Sequence, residues 1–155
     1  MPEAKKPRAA VRVWPQVRVF RELLRANSWV TQQARAFVEA ETGLGMSEFD
    51  MVVELGNQPH VRMSDLAKRM VVSAPNVTRV AQSLTAKGLV VRQRAEHSDR
   101  EVLARLTPEG EALFHRHFPR AAAFMATLMD GQLTRKEQVQ LGELLAKIGG
   151  AKVSG

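Results

Sequence analysis

The residues best suited to chemistry in this sequence lie in one segment, 73–87, whose polar and apolar side chains repeat with a helical period. The apolar side chains follow the spacing i, i+3, i+4, i+7 that lines one face of a helix: Val77, Val80, Ala81 and Leu84. The opposite face would carry Pro75, Thr78, Arg79 and Gln82, with Ser73 and Asn76 at the start of the helix. One side can therefore pack against protein while the other offers hydrogen-bonding groups to a partner.

The outward arginine and the helix start indicate what that partner could be. An arginine on an exposed helix can contact guanine O6 and N7 with both arms, which contributes about 1–3 kcal/mol of base discrimination. Ser73 is a good N-cap and Pro75 fits a first turn, so the positive end of the helix dipole can sit near a phosphate. Arg79 taken alone could equally solvate an exposed face. The assembled segment favours a contact with nucleic acid.

The elements around this segment predict a winged helix-turn-helix. A short helix over about 64–70 precedes it across a three-residue turn, and two β-prone segments, 89–94 and 101–106, follow it around a polar tip. In this order of elements the second helix enters the major groove of duplex DNA and the first crosses the backbone. Arg92 and Arg94 on the hairpin are then expected to bind phosphate, which adds salt-dependent affinity with little sequence information.

Helical periods also predict one long helix over 15–41 and two more within 108–150, the first of them bent near Pro119. Between them, Ser47 is expected to cap a second helix, with Asp50 as its capping-box acid. A second capping box, from Thr134 to Glu137, is expected to begin the last helix. The apolar stripes of the flanking helices hold more surface than one small winged domain can cover, so we expect a homodimer.

The length of 155 residues is that of a single domain. We predict a mainly α fold with a small β-hairpin wing, in which a winged helix-turn-helix lobe over 47–107 lies between dimerisation helices over 15–41 and 108–150. These parts form one domain, 15–150. A flexible basic arm, 1–14, is expected to precede it.

The charge distribution agrees with a polyanionic partner. The chain carries a net charge of +7, and residues 62–105 contribute nine basic against four acidic residues, whereas residues 26–61 contribute one against five. Positive charge is thus concentrated around the predicted recognition segment, which favours duplex DNA as the partner. A helical interaction module that meets an acidic protein or a membrane surface is the alternative, and it would show no sequence preference among DNA duplexes.

The sequence lacks the residues that several classes of function require. The sequence has no cysteine, which excludes thiol nucleophiles and thiolate metal sites, and no phosphate loop or nucleophile elbow is present, so no enzyme and no cofactor are expected. His115 and His117 lie two apart on a predicted helix and make a poor metal pair, which argues against a metal-dependent sensor. The first ten residues lack the apolar region of a secretory signal, and a cytoplasmic location is expected.

Several short motifs follow one another along the chain. They are Ser47-Glu48-Phe49-Asp50, Leu66-Ala67, Val72-Ser73, Val77-Thr78-Arg79-Val80, Leu84-Thr85-Ala86-Lys87-Gly88-Leu89-Val90, Asp99-Arg100 and Leu106-Thr107-Pro108-Glu109-Gly110. In their order and spacing they resemble the MarR family of transcriptional regulators, and the resemblance covers about residues 15–150. The resemblance implies a triangular homodimer with interlaced N- and C-terminal helices. Each lobe would present a recognition helix and a wing to a pseudo-palindromic DNA site.

The predicted wing departs from the family at one position. The family's Asp-x-Arg signature falls on Ser98-Asp99-Arg100, so Ser98 stands where the family has Asp. The resemblance implies that Arg100 supports or makes a minor-groove contact. Two possibilities stay open: Asp99 supplies the carboxylate from a shifted turn, or Ser98 holds Arg100 less firmly.

The resemblance also implies a ligand-responsive repressor, released from DNA by a small anionic aromatic effector bound between the dimerisation helices and the DNA-binding lobe. In the urate-responsive members, positions matching Asp50, Arg79 and Arg92 take part in the ligand response, so urate is one candidate. Trp29 on the first helix could line such a pocket. Other roles stay open. Asp50 could simply cap a helix, both arginines could contact DNA, and Trp29 could belong to the core.

Overall fold

The computed structural model describes residues 14–70, 77–95 and 98–149, without the side chains of 98–100. The chain divides after Gln33 into two units. The first unit contains the N-terminal part of helix α1 (Pro15–Thr42), where Arg25 forms an exposed ion pair with Glu22 at 3.2 Å. The second unit begins at Ala34 and contains the other elements. The predicted arm, 1–14, lies outside the described residues except for its last residue.

The second unit is mainly helical and contains one small antiparallel sheet. Its further elements are α2 (Met46–Gly56), β1 (Val61–Arg62), α3 (Met63–Arg69), α4 (Val77–Ala86), β2 (Val90–Ala95), β3 (Ser98–Leu106), α5 (Pro108–Asp130) and α6 (Arg135–Gly149). The strands lie in the order β1-β3-β2. The predicted mainly α fold with a hairpin wing is confirmed. Strand β1 is an addition that the sequence did not indicate, because two residues are too short to carry a periodic signal.

The core of this unit lies between α2, α3, α4 and the base of the hairpin. Its largest fully buried side chains are Met51, Leu66, Leu84, Val38, Val52 and Val90. On α4, Ala81 and Leu84 are buried and Val77 and Val80 are partly buried, so the predicted apolar face is confirmed. Burying a side chain of this size stabilises the fold by about 1.5–3 kcal/mol, which fixes which way α4 faces.

The start of α2 differs from the prediction. Gly43, at a φ of 68°, follows the end of α1, and Gly45 is the N-cap of α2. The Gly45 N–H donates to Glu48 Oε2 at 2.9 Å, so Glu48 occupies the position expected of Asp50. The prediction that Ser47 caps this helix is wrong, because the extended backbone of Gly45 allows the helix to begin two residues earlier and places Ser47 inside it.

The end of α4 and the start of α5 are joined through one threonine. After α4 the chain turns at Gly88, whose φ is 72°, and the Leu89 N–H donates to the Leu84 carbonyl at 2.9 Å. Thr107 Oγ1 donates to the Gly88 carbonyl at 2.7 Å and accepts the Gly110 N–H at 3.0 Å as the N-cap of α5. The predicted cap of α5 is confirmed.

The last helix, α6, begins with the predicted capping box. Glu137 accepts hydrogen bonds from the Thr134 hydroxyl and backbone N–H, which together lower the pKa of its carboxyl. Pro119 lies inside α5, and the bend expected there stays a prediction. The predicted start of α4 at Ser73 and Pro75 falls outside the described residues.

Gly110 should be intolerant of a side chain. An added Cβ would collide with the Leu89 carbonyl oxygen and lie 3.3 Å from Leu106 Cβ, so the first turn of α5 would be pushed away from the hairpin. Gly110→Ala is expected to lower the free energy of unfolding by about 1–3 kcal/mol in urea denaturation. Gly131→Ala, at a position with only an ordinary contact at 3.9 Å, is the control and should change it by less than about 0.5 kcal/mol. Equal stability of the two variants would contradict this packing.

Candidate nucleic-acid interface

The outer face of α4 is the polar surface that the sequence predicted. Thr78, Arg79 and Gln82 are exposed, while Ala81 and Leu84 on the inner face are buried. The three side chains therefore share one accessible face, and their contact with DNA remains a prediction. Three further predicted contacts, Ser73, Pro75 and Asn76, lie outside the described residues.

A carboxylate on α2 holds the flank of α4. Glu48 Oε1 accepts a hydrogen bond from Ser83 Oγ at 2.6 Å, and the Lys87 ammonium donates to Oε1 and Oε2 at 2.8 and 2.7 Å. Burial raises the pKa of Glu48, but the hydrogen bonds from Lys87, Ser83 and Gly45 and the charge of Lys87 outweigh burial and lower it below 4.5. The charged form of Glu48 thus fastens α4 to the start of α2.

Sequence reasoning missed this network. Ser83 and Lys87 are four residues apart and share a helix face, which is a signal that they could bond one common partner. Glu48 is 35 residues from Ser83 and 39 from Lys87. The sequence offers no rule that pairs side chains at such separations, so only the packing of α2 on α4 identifies the partner.

The two arginines on strand β2 of the wing, Arg92 and Arg94, differ in burial. Val90, Arg92 and Arg94 alternate onto one face of β2, which is buried at Val90 and exposed at Arg94. Arg92, opposite the buried Ala104 in β3, is partly buried. Its Nε atom is shielded from solvent and has no hydrogen-bond partner among the described residues. Arg94 is therefore the better placed of the two to meet an external phosphate, while Arg92 carries a positive charge nearer the core.

The base of the wing contains a further ion pair. Arg62 Nε lies 2.8 Å from Glu101 Oε1 and so joins the short strand β1 to β3, where Arg62 pairs with Leu103. This pair was not predicted, since β1 itself was not. The backbone of Arg100 lies in β3. The side chains of Ser98, Asp99 and Arg100 are outside the described part, so both interpretations of the wing tip stay open.

The predicted effector residues fall in both units. Trp29 belongs to the first unit, where 47% of its surface is exposed. In the second unit, Asp50 on α2 is partly buried and Arg79 on α4 is exposed. A depression of about 240 Å³ lies between the end of α2, the end of β3 and the start of α5, and includes Phe114 and His115. None of the four predicted effector residues lines this depression.

No three His, Asp or Glu side chains within 14–70, 77–95 and 98–149 gather as metal ligands would. His115 is exposed, whereas His117 is mostly buried with Nδ1 3.8 Å from Glu41 Oε2, an acid that also pairs with Arg120 at 3.0 Å. Over the same ranges, no helix combines the length and the apolar character that a membrane span requires.

Known proteins similar in sequence are regulators of transcription. A profile of the MarR family matches residues 42–101. An uncharacterised HTH-type transcriptional regulator of Bacillus cereus (strain ATCC 10987) is 25% identical over 130 residues, which cover 84% of this chain and 86% of the relative. The uncharacterised HTH-type transcriptional regulator YkoM of Bacillus subtilis is 30% identical over 109 residues, or 70% of each chain.

Solved structures share the fold. A MarR family transcriptional regulator from Streptomyces coelicolor, crystallised in complex with DNA, has a TM-score of 0.81 at 22% identity and matches 94% of this chain and 91% of its own. Bordetella bronchiseptica BpsR, whose DNA binding is regulated by 6-hydroxynicotinic acid, has a TM-score of 0.68 at 24% identity and matches 83% and 98%. The winged helix architecture is therefore confirmed. Its relatives identify the chain as a transcriptional regulator and not an enzyme, and it belongs to the MarR family.

Proposed function

We propose that this chain represses transcription as a homodimer that binds a pseudo-palindromic DNA site and is released from it by a small anionic aromatic molecule. The observation that carries the proposal is the two-sided surface of α4. Its buried side anchors the helix, and its exposed side offers Thr78, Arg79 and Gln82 to base edges. Relatives that are HTH-type transcriptional regulators favour DNA over an acidic protein or a membrane surface as the partner.

In this proposal α4 and the wing have different tasks. Arg79 reads base edges in the major groove, because it projects from the exposed face of a helix whose other side is anchored. Arg94, exposed on β2, neutralises phosphate and adds affinity without sequence preference. Ser73, Pro75 and Asn76 act at the start of the recognition helix, and Arg100 acts at the wing tip, as the family resemblance implies.

A second copy of the chain is the partner that the exposed apolar side chains require. On α6, four exposed residues follow the spacing i, i+3, i+4, i+7: Leu141, Leu144, Leu145 and Ile148. In the first unit, α1 exposes Val17, Phe20, Leu24 and Trp29, among others. Apolar stripes of this extent are rarely left in water by a monomer. The segments over 15–41 and 108–150 therefore serve as dimerisation helices in this proposal.

An anionic effector would find a suitable group at Arg92. The guanidinium is partly buried, and within the part of the chain that the structure describes its shielded Nε has no partner. A shielded cationic donor of this kind is stabilised by a carboxylate or other anion. BpsR, which shares the fold, responds to 6-hydroxynicotinic acid, an aromatic acid. Asp50 and Arg79 in the second unit are the further effector residues that the resemblance implies, and Trp29 in the first unit is the remaining candidate.

Arg79→Ala and Arg94→Ala should separate base reading from phosphate binding. With a DNA site selected by the native protein from random duplexes, we expect Arg79→Ala to reduce the preference over unrelated DNA by about 5- to 150-fold, because about 1–3 kcal/mol of discrimination is lost. Arg94→Ala should weaken binding to both duplexes and lower the slope of log affinity against log salt by about 1. Fluorescence anisotropy measures both quantities.

The control for these variants is Arg116→Ala, which removes an exposed arginine from α5 and should leave preference and salt slope unchanged. Unaltered discrimination in Arg79→Ala would show that α4 is not the reading helix. A native protein without any preference among duplexes would favour the interaction module instead.

Leu144→Asp should dissociate the homodimer. The side chain is 48% exposed in the single chain and lies in the middle of the α6 stripe, so a buried charge at a subunit interface would be unpaired and costly. Sedimentation velocity should show a monomer at concentrations at which the native chain is dimeric. Lys136→Asp introduces the same side chain on α6 outside the stripe and should remain dimeric. A dimeric Leu144→Asp variant would remove the α6 stripe from the interface.

An effector should be found by a thermal-shift screen of aromatic acids and urate, with each hit retested for release of labelled DNA. A ligand that favours the free form raises its Tm and must weaken DNA binding by the same coupling free energy. Arg92→Ala should abolish the shift and Arg94→Ala should retain it. If no hit releases DNA, or if Arg92→Ala responds like the native chain, the proposed effector or its anchor is wrong.

A further inference from the structure

We infer that Glu48 is a positioning residue for DNA recognition, because its carboxylate sets the orientation of α4 and hence where Arg79 points. The inference rests on the proposed function for its DNA readout. The contacts on which it depends lie wholly among described residues of the second unit. Glu48 lies on α2, away from the exposed face of α4, and would not itself touch DNA.

The carboxylate of Glu48 joins three parts of the unit. Oε1 accepts from the Ser83 hydroxyl at 2.6 Å and from the Lys87 ammonium at 2.8 Å. Oε2 accepts from the Lys87 ammonium at 2.7 Å and from the Gly45 N–H at 2.9 Å. Only 14% of the Glu48 side chain is exposed, against 41% of Lys87. Short, charge-assisted and partly shielded bonds of this kind are stronger and more directional than exposed ion pairs.

Apolar packing alone would hold α4 less firmly. The fully buried side chains of α4 are Ala81 and Leu84, and hydrophobic burial is not directional. A helix that packs through these two side chains and the partly buried Val77 and Val80 resists removal from the core more than it resists a small rotation about its own axis. The bonds from Ser83 and Lys87 have defined geometry, and both would break if α4 rotated away from Glu48.

Such a rotation would misplace Arg79. Arg79, Ser83 and Lys87 follow each other at intervals of four residues, so they lie along neighbouring positions of one helix surface. At the side-chain radius of about 6 Å, a rotation of about 20° moves an atom by about 2 Å, which is enough to break a bidentate contact with a base. Glu48 therefore determines whether the two arms of Arg79 can reach one guanine.

The same carboxylate extends the link to the corner between α1 and α2. The Leu44 N–H donates to Thr42 Oγ1 at 3.0 Å, and Thr42 Oγ1 donates to the Val38 carbonyl at 2.7 Å. Gly45, next in the chain, donates to Glu48. A displacement of this corner would reach α4 through Glu48 as well as through packing.

The test measures the preference for the selected DNA site over unrelated DNA in Glu48→Gln, with Glu54→Gln on the same helix as the matched control. Glutamine keeps the length of the side chain but removes the charge that Lys87 and Ser83 bond. We expect Glu48→Gln to lose at least about 10-fold in preference. Its binding to unrelated DNA and its salt slope should stay as in the native chain, since no phosphate contact is removed. Glu54→Gln should behave as native.

A double-mutant cycle tests whether Glu48 acts through Lys87. If it does, Glu48→Gln combined with Lys87→Met should lose no more preference than the larger single effect, because the shared interaction can be lost only once. Ser83→Ala should give a smaller loss, and it decides the question should Glu48→Gln fail to fold. Fully additive losses, or a native preference in Glu48→Gln or in Ser83→Ala, would overturn the inference. So would an equal weakening on both duplexes with a lowered Tm, which is the mark of a merely structural role.

A measurement without DNA separates this inference from the proposed function. Residual dipolar couplings of backbone amides report the orientation of α4 relative to α2 in the native chain and in the Glu48 and Glu54 variants. A reorientation of α4 confined to Glu48→Gln supports a positioning role, and an unchanged orientation overturns it. If the native chain selects no DNA sequence, the proposed function fails, while these couplings still decide whether Glu48 positions α4.

Discussion

The interface between the inner side of α4 and the start of α2 is the constraint on which the remaining structure depends. Burial of Ala81 and Leu84 gives α4 an inside and an outside, and the carboxylate of Glu48 fixes its rotation through Ser83 and Lys87. Burial supplies most of the free energy and determines which face of α4 is inward, whereas the hydrogen bonds supply a smaller net free energy but resist small rotations through their defined geometry. In the proposed function α4 reads base edges, and such a helix needs both, because base contacts are lost at displacements that burial tolerates.

The hairpin is likewise held at its base and exposed towards its tip. Its base is held by Val90 and Ala104 in the core and by the ion pair of Arg62 with Glu101. Along β2 burial decreases from Val90 to Arg94, so the strand leaves the core as it approaches the tip. Positive charge is thereby carried outward on an element whose base cannot move freely, which suits a group that must follow a phosphate backbone without specifying sequence.

The sequence predicted those features that depend on residues close together in the chain. The apolar period of α4, the cap at Thr107 and the capping box at Thr134 depend on residues within one or two turns, and each was predicted at its position. The cap of α2 was missed by two residues, because glycine at 45 competes with serine at 47 and only the approach of the chain from α1 decides between them. The choice also moves the capping acid from Asp50 to Glu48.

In the candidate site, too, features set by neighbouring residues could be predicted, and features set by distant residues could not. The exposure of Thr78, Arg79 and Gln82 follows from helical period, but the partial burial of Arg92 depends on its partner in β3, and the ties of Glu48 to α4 depend on residues more than thirty positions away. Such pairings combine into a constraint that no single segment contains. A regulator must change its DNA affinity by preferring one arrangement over another, and a ligand can shift that balance only by the difference in its own affinity for the two. The hydrogen bonds between Glu48 and α4 suit such a change in the proposed function, because their free energy is of the same order as the difference in a ligand's affinity for the two arrangements. The apolar core beneath them is too costly to rearrange.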